Sequence, residues 1–328
     1  MKKILILTTA LFIGLAGSLN TVQAADQIVK VDGSSTVFPV TEAVAEEFQK
    51  SKAGAMRVTV GISGTGGGFK KFCRGETDVS DASRPIKSEE RIACKEAGIQ
   101  FIELPIAYDA LTVVVSNKNT WANTLTVADL KKIWEPAANG VITNWNQVRP
   151  EFPNQPLKLY GPGTDSGTFD YFTDVIMGKS MASRPDYTAS EDDNVLVQGV
   201  QNDAGALGYF GFAYYAENTD KLKAVSIDSG SGPIVPSRAN VENGTYKPLG
   251  RPIFIYVNKK SLDKVEVKEF VNFYLKNAPV LVAQVKYIAL PANIYTIVQD
   301  RLNRQVVGTS FQTTGAKLED QLKIEPKI

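Results

Sequence analysis

Three short loops, rich in glycine and hydroxyl side chains, constrain this chain more than any other feature. They are Gly33-Ser34-Ser35-Thr36, Ser63-Gly64-Thr65-Gly66 and Asp165-Ser166-Gly167-Thr168. Each sits between an apolar, β-branched run and a helical pattern. Val29 to Val31 reads as a strand before the first loop, and Val40, Ala43, Val44 and Phe48 recur at helical spacing after it, over residues 39–50. Arg57 to Ile62 alternates before the second, with a short helix from Phe69. Leu157 to Tyr160 precedes the third, and a helix over Phe169 to Met177 follows. Strands are also expected at Asp78–Ala82, Ile99–Glu103, Leu111–Ser116, Ala206–Tyr209 and Leu249–Val257. Helices are expected at Ser88–Ala97, Leu125–Trp134 with Thr126 as its cap, Asn194–Gln201, Val265–Lys276, Pro279–Val285 and Asn293–Leu302. The stretch Asp228–Lys247 reads as a loop excursion. Alternation of this kind predicts an α/β fold, a mostly parallel sheet flanked by helices.

A strand-to-helix loop of this composition presents hydroxyls and backbone N–H groups at the positive end of a helix, which suits an anion. The plainer reading is that each Ser or Thr caps its own helix. Three such loops favour a ligand, because open α/β sheets bind outside the carboxyl ends of their strands. None is a Walker loop or a dinucleotide fingerprint. A fourth strand end carries Asp81-Ala82-Ser83-Arg84-Pro85. A carboxylate suits an anion site when the anion brings its own proton. Hydrogen phosphate does and sulfate does not, so Asp81 predicts discrimination between them. Arg84 either balances the anion's charge or closes a local turn salt bridge.

The chain has no histidine, so Ser-His-Asp and Cys-His machinery and imidazole-rich zinc sites are excluded. With 36 Lys+Arg against 35 Asp+Glu, it has no electrostatic footprint for nucleic acid. Lys2 and Lys3, an apolar run from Ile4 to Leu19 and small residues up to Ala24 read as a secretory signal peptide cleaved after Ala24. A membrane anchor is the alternative, but the run is short and interrupted. No cysteine follows it, so no lipid attachment is expected there. Export to an oxidising compartment predicts that the only two cysteines, Cys73 and Cys94, are bridged; two buried thiols are the alternative.

The chain resembles the periplasmic phosphate-binding proteins of ABC phosphate importers, the PstS/SphX-like family. The resemblance rests on Asp32 to Val37, Gly61 to Gly67, Ser80 to Arg84 and Asp165 to Phe169, supported by Ile142 to Asn146, Gly205 to Tyr209 and Phe270 to Tyr274. It implies the two-lobed type II periplasmic-binding-protein fold with two hinge crossings. The signal peptide takes residues 1–24, lobe one 25–106 and 253–328, and lobe two 107–252. By motif position Ser35, Thr36, Ser63, Asp81, Ser166, Gly167 and Thr168 match the family's phosphate ligands. Ser34, Gly64, Thr65 and Asp165 flank them in the same loops and join the candidate set. The family's best-known members carry an arginine a few residues before Ser-Gly-Thr, where this chain has Gly161-Pro162-Gly163. Arg84 is the expected substitute. The resemblance implies a monomer that captures inorganic phosphate in the periplasm and delivers it to an ABC permease. It implies no catalysis, cofactor, metal or nucleic acid. The alternatives are another oxyanion (arsenate, being protonated, before sulfate or molybdate), a phosphatase-like enzyme, and a surface adhesion role.

Overall fold

The computed structural model describes residues 27–164, 166–190, 192–311 and 317–327. The expected signal peptide and Asp165 lie outside them. The first lobe opens with β1 (Gln27–Gly33), α1 (Phe38–Ser51), β2 (Met56–Ile62), α2 (Gly64–Cys73), β3 (Val79–Ala82) and α3 (Ser88–Glu96). Strand β4 (Phe101–Ser116) leads into the second lobe. There follow β5 (Thr124–Thr126), α4 (Val127–Trp134), α5 (Trp145–Val148), β6 (Lys158–Gly161), α6 (Gly167–Met177), β7 (Thr188–Ala189), α7 (Asp193–Gln201), β8 (Ala206–Gly211), α8 (Phe212–Ala216), β9 (Leu222–Ala224), β10 (Ser226–Asp228), β11 (Pro233–Ile234) and α9 (Arg238–Glu242). The chain returns through β12 (Gly250–Asn258) to α10 (Val265–Gln284), β13 (Ile288–Ala289), α11 (Ala292–Asn303) and α12 (Leu318–Leu322).

The spine is β4. All 16 of its residues are buried, and at ~3.3 Å per residue it runs for about 50 Å, enough to pass through both lobes. The two separate strands expected at Ile99–Glu103 and Leu111–Ser116 are the ends of this one element. Strand β12 runs antiparallel beside it from Gly250↔Ala110 to Asn258↔Phe101. Their register slips between Ile253 and Phe254, opposite Ala107 and Pro105. A proline cannot donate to the ladder, so the irregularity falls where the chain cannot pair evenly.

The main sheet has the order β2-β1-β3-β12-β4-β8-β6-β7. Pairing is parallel within each lobe, in β1–β2, β1–β3, β6–β8 and β6–β7, and antiparallel wherever β4 or β12 joins. The sheet is therefore mixed: the parallel expectation holds inside the lobes and ends at the crossings. Helix α1 buries Val40, Val44 and Phe48 along one stripe. Phe48 meets the edges of Phe270 and Phe273 from α10 at 5.4 and 5.5 Å.

Three local expectations are resolved here. Cys73 and Cys94 form a disulfide that ties α2 to α3. The Thr126 hydroxyl accepts from Asp129 N at 3.1 Å, capping α4 as expected. The break expected at Pro279 is absent, because α10 runs through it as one helix of 20 residues. Its buried stripe continues across the proline, from Tyr274 and Leu275 to Ala278, Leu281 and Val282. Burial on both sides outweighs one lost backbone bond. The excursion at 228–247 is also less irregular than expected, since it holds β11 and the Ser237-capped helix α9.

Candidate anion-binding site

The three glycine-hydroxyl loops all emerge at carboxyl ends of strands, and the fold draws them towards one another. Gly33 links β1 to the turn before α1, and a Cβ there would meet the Asp81 carbonyl oxygen at 2.2 Å. Only glycine permits that approach, which lets Ser34 N donate to Asp81 O at 3.0 Å. Gly167 plays the same part between lobes. A Cβ on it would lie 2.6 Å from Thr36 Cα. Across this junction Thr36 Oγ1 donates to Gly167 O at 3.0 Å, and Ser35 Oγ donates to Asp170 Oδ2 at 2.8 Å. The structure thus has the lobes in contact.

A cavity of about 210 Å³ remains between them. Lobe one lines it with Ser34, Ser35, Thr36, Gly64, Thr65, Gly66 and Ser83; lobe two with Asp170, Tyr171, Asp174 and Ser180; the strand β12 with Arg251. No side chain caps α2, whose N-cap residue is Ser63. The N–H groups of Gly64, Thr65 and Gly66 have no intrahelical partner by position, and no other is found among the described residues. These orphan donors and the positive end of the helix face the cavity, so the cavity favours an anion. A wider groove of about 540 Å³, over Ile99, Phe101 and Val307 at the far end of lobe one, takes in none of the loops.

The expected residues separate into groups. Ser34, Ser35, Thr36, Gly64 and Thr65 line the cavity together. Ser63 does not. Its hydroxyl donates to Asp32, whose other oxygen takes Lys71 Nζ at 2.6 Å, and its N–H donates to Gly33 O. Ser166 caps α6 by accepting from Thr168 N at 3.2 Å, and with Gly167 and Thr168 it stands beside the cavity wall without lining it. Asp165 lies outside the described residues.

Asp81 is buried one layer beneath the cavity, 1% exposed. Its Oδ1 accepts from Thr41 Oγ1 at 3.0 Å, Thr41 also bonds Tyr274 OH at 3.0 Å, and Oδ2 has no partner. Burial pushes its carboxyl up to about 8, against the Thr41 bond that lowers it, with nearby Asp32 raising it further.

Arg84 departs from the expectation that it supplies the anion's counter-charge. Its guanidinium forks onto Glu90, at 2.8 and 2.7 Å, donates to Pro85 O and packs over Phe69. That is the local turn salt bridge, and Arg84 does not line the cavity. The cation that does is Arg251, stacked on the Tyr171 ring at 3.3 Å. Its Nε stands 3.9 Å from Asp109 Oδ2 across β12 and β4. Sequence reading missed it. The available signal was one arginine and one aspartate in two otherwise apolar crossing segments, 104–111 and 251–257.

Comparison with known proteins agrees with this architecture. The family model described as a PBP superfamily domain matches residues 20–278. Protein SphX of Synechococcus elongatus is 53% identical over 318 residues, 95% of this chain and 94% of that one. Phosphate-binding protein PstS of Staphylococcus saprophyticus is 39% identical over 279 residues, 84% of each. The crystal structure of a possible phosphate binding protein from Planctomyces limnophilus superposes with a TM-score of 0.82 at 49% identity, covering 86% of this chain and 99% of that one.

Proposed function

This chain belongs to the PBP superfamily, with Protein SphX and phosphate-binding protein PstS among its relatives, and on that premise we propose that it captures inorganic phosphate between its lobes and delivers it to an ABC permease. The observation that carries the reading is the uncapped first turn of α2, whose orphan amides border an inter-lobe cavity rimmed by hydroxyls. Fixed amides and hydroxyls between the lobes hold an oxyanion by charge-assisted hydrogen bonds. Ser34, Ser35, Thr36, Gly64 and Thr65 are the lobe-one contacts. Asp81 lies below them with an open Oδ2, which supports its role as acceptor for the proton that phosphate carries. Ser166, Gly167 and Thr168 act by setting the lobe-two approach.

The cycle is binding and release without bond-breaking. Ser35–Asp170 and Thr36–Gly167 bridge the lobes in the closed form. An anion that contacts both lobes adds to them, so it biases closure by differential contact. Closure is the signal the permease reads. The absence of histidine fits a binding role, and phosphate is the only small molecule required. Export through the N-terminal signal places the protein in the periplasm, acting as a monomer.

Calorimetry on protein stripped of phosphate tests the reading. Expected are one phosphate per chain, competition by arsenate and weak or no competition by sulfate. Absence of phosphate binding, or turnover of a phosphomonoester, contradicts it.

A further inference from the structure

We propose that Arg251, on the returning hinge strand, supplies the cationic contact to the bound oxyanion, in place of an arginine from the lobe-two loop. The proposal rests on the phosphate reading above and names the residue that gives that site its positive charge.

Among the described residues lining the cavity, Arg251 is the one cation. Guanidinium is always charged and offers five donors. The Arg251 side chain makes no hydrogen bond among the described residues. Its Nε is buried without a partner, and Asp109 Oδ2, 3.9 Å away and beyond hydrogen-bond reach, is also unpartnered. The arginine is 15% exposed and the aspartate 7%. Two opposite charges this deeply buried are normally joined by hydrogen bonds, and leaving the donors unused is costly. The other buried arginines divide: Arg301 also leaves Nε and Nη2 unpartnered, donating only to Ser310 Oγ, but it does not line the cavity, and two are fully engaged. Arg84 forks onto Glu90, and Arg184 onto Asp186 and two backbone carbonyls. Among the described arginines, Arg251 alone lines the cavity with its side-chain donors unused.

Its position is well fixed. β12 sets Arg251 opposite Asp109. From lobe two, Tyr171 places its ring under the guanidinium, and the Tyr171 hydroxyl donates to Pro248 O at 2.7 Å, just before β12. The fork is therefore oriented before any ligand arrives. Two carboxylates, Asp170 and Asp174, share the cavity, and the first is engaged by its neighbours. Both Asp170 oxygens accept from hydroxyls, of Ser35 and Ser180 at 2.8 Å each.

Phosphate affinity is to be measured by calorimetry at neutral pH on the stripped wild type, Arg251→Met, Arg251→Gln and Arg84→Met, with melting curves in the absence of ligand. Loss of a charge-assisted contact is expected to weaken phosphate about 10- to 100-fold in both Arg251 variants. Sulfate should weaken in parallel, since the lost contact is charge and not proton recognition. Arg84→Met should bind phosphate within about threefold of wild type while melting earlier. Arg251→Gln keeps a planar polar head over Tyr171 and guards against a methionine variant that fails to fold. Wild-type affinity in either folded Arg251 variant, or an equal loss in Arg84→Met, overturns the proposal. A wild type that ignores phosphate would instead sink the functional reading itself.

Discussion

Two buried aspartates, Asp81 beneath the lobe-one loops and Asp109 in the hinge, share one peculiarity: each leaves its Oδ2 without a partner. Their neighbours differ. Asp81 has a hydroxyl from Thr41 and a second carboxylate, Asp32, nearby, and its carboxyl rises to about 8. Asp109 is as thoroughly buried, but Arg251 stands 3.9 Å away and holds it to about 6. Burial raises both, and the sign of the nearest charge separates them. In the ligand-free protein Asp81 therefore holds its proton to higher pH than Asp109 does. One end of the site manages a proton and the other end manages charge.

The largest expected effect breaks the Asp81 side. Asp81→Asn removes the acceptor for the ligand's proton, and preference for phosphate over sulfate should fall by ~100-fold or more. Competition calorimetry at pH 8.5, roughly above the range where wild-type Asp81 holds its own proton, reads this cleanly. A preserved preference would remove Asp81 from selectivity. Arg251→Met comes next and should weaken both anions by about 10- to 100-fold with little change in their ratio. The two variants thus separate proton recognition from charge recognition.

Stability against pH sharpens the comparison further. Folding favours the neutral form of both aspartates, so the stability they contribute is complete below the ordinary value of 3.8 and is lost as pH rises through the folded value. For Asp109 the loss is finished by about 6, whereas for Asp81 it continues to about 8. Chemical denaturation of ligand-free protein should lose a few kcal/mol between these limits, on the order of 1 kcal/mol per pH unit for each titrating group. Asp81→Asn should flatten the slope between pH 6 and 8. Asp109→Asn should flatten it only below 6, and an unchanged slope in either interval contradicts the assignment. The smallest expected effect is in Arg251→Met, where Asp109 loses its cation and its window should extend above 6.

Much of this was legible in the sequence. The strand–loop–helix alternation, the glycine-hydroxyl loops, the Cys73–Cys94 bridge and the Thr126 cap all follow from local pattern or a redox compartment. The fusion of two strands into β4 was not, because a long buried spine and two adjacent short strands look alike until their partners are known. Pro279 misled for a similar reason: the local cost of a proline is visible, and the packing that outweighs it is not. Within the site, loop residues that face the cavity through the backbone were found. Side-chain partners contributed by other elements were not legible. Ser63 is taken by Asp32, which Lys71 also holds, and Arg84 by Glu90. Arg251 reaches the cavity only because β12 sets it opposite Asp109, a register that no local pattern encodes.

The most direct test is a crystal structure with arsenate in the cleft, its position fixed by anomalous scattering from the arsenic. The anion is expected in the inter-lobe cavity, roughly 3 Å from the amides of Gly64 to Gly66 and from the Arg251 guanidinium, with its protonated oxygen turned towards Asp81. An anion bound against Arg84, or one that leaves Arg251 on Asp109 and turns no oxygen towards Asp81, would contradict this account.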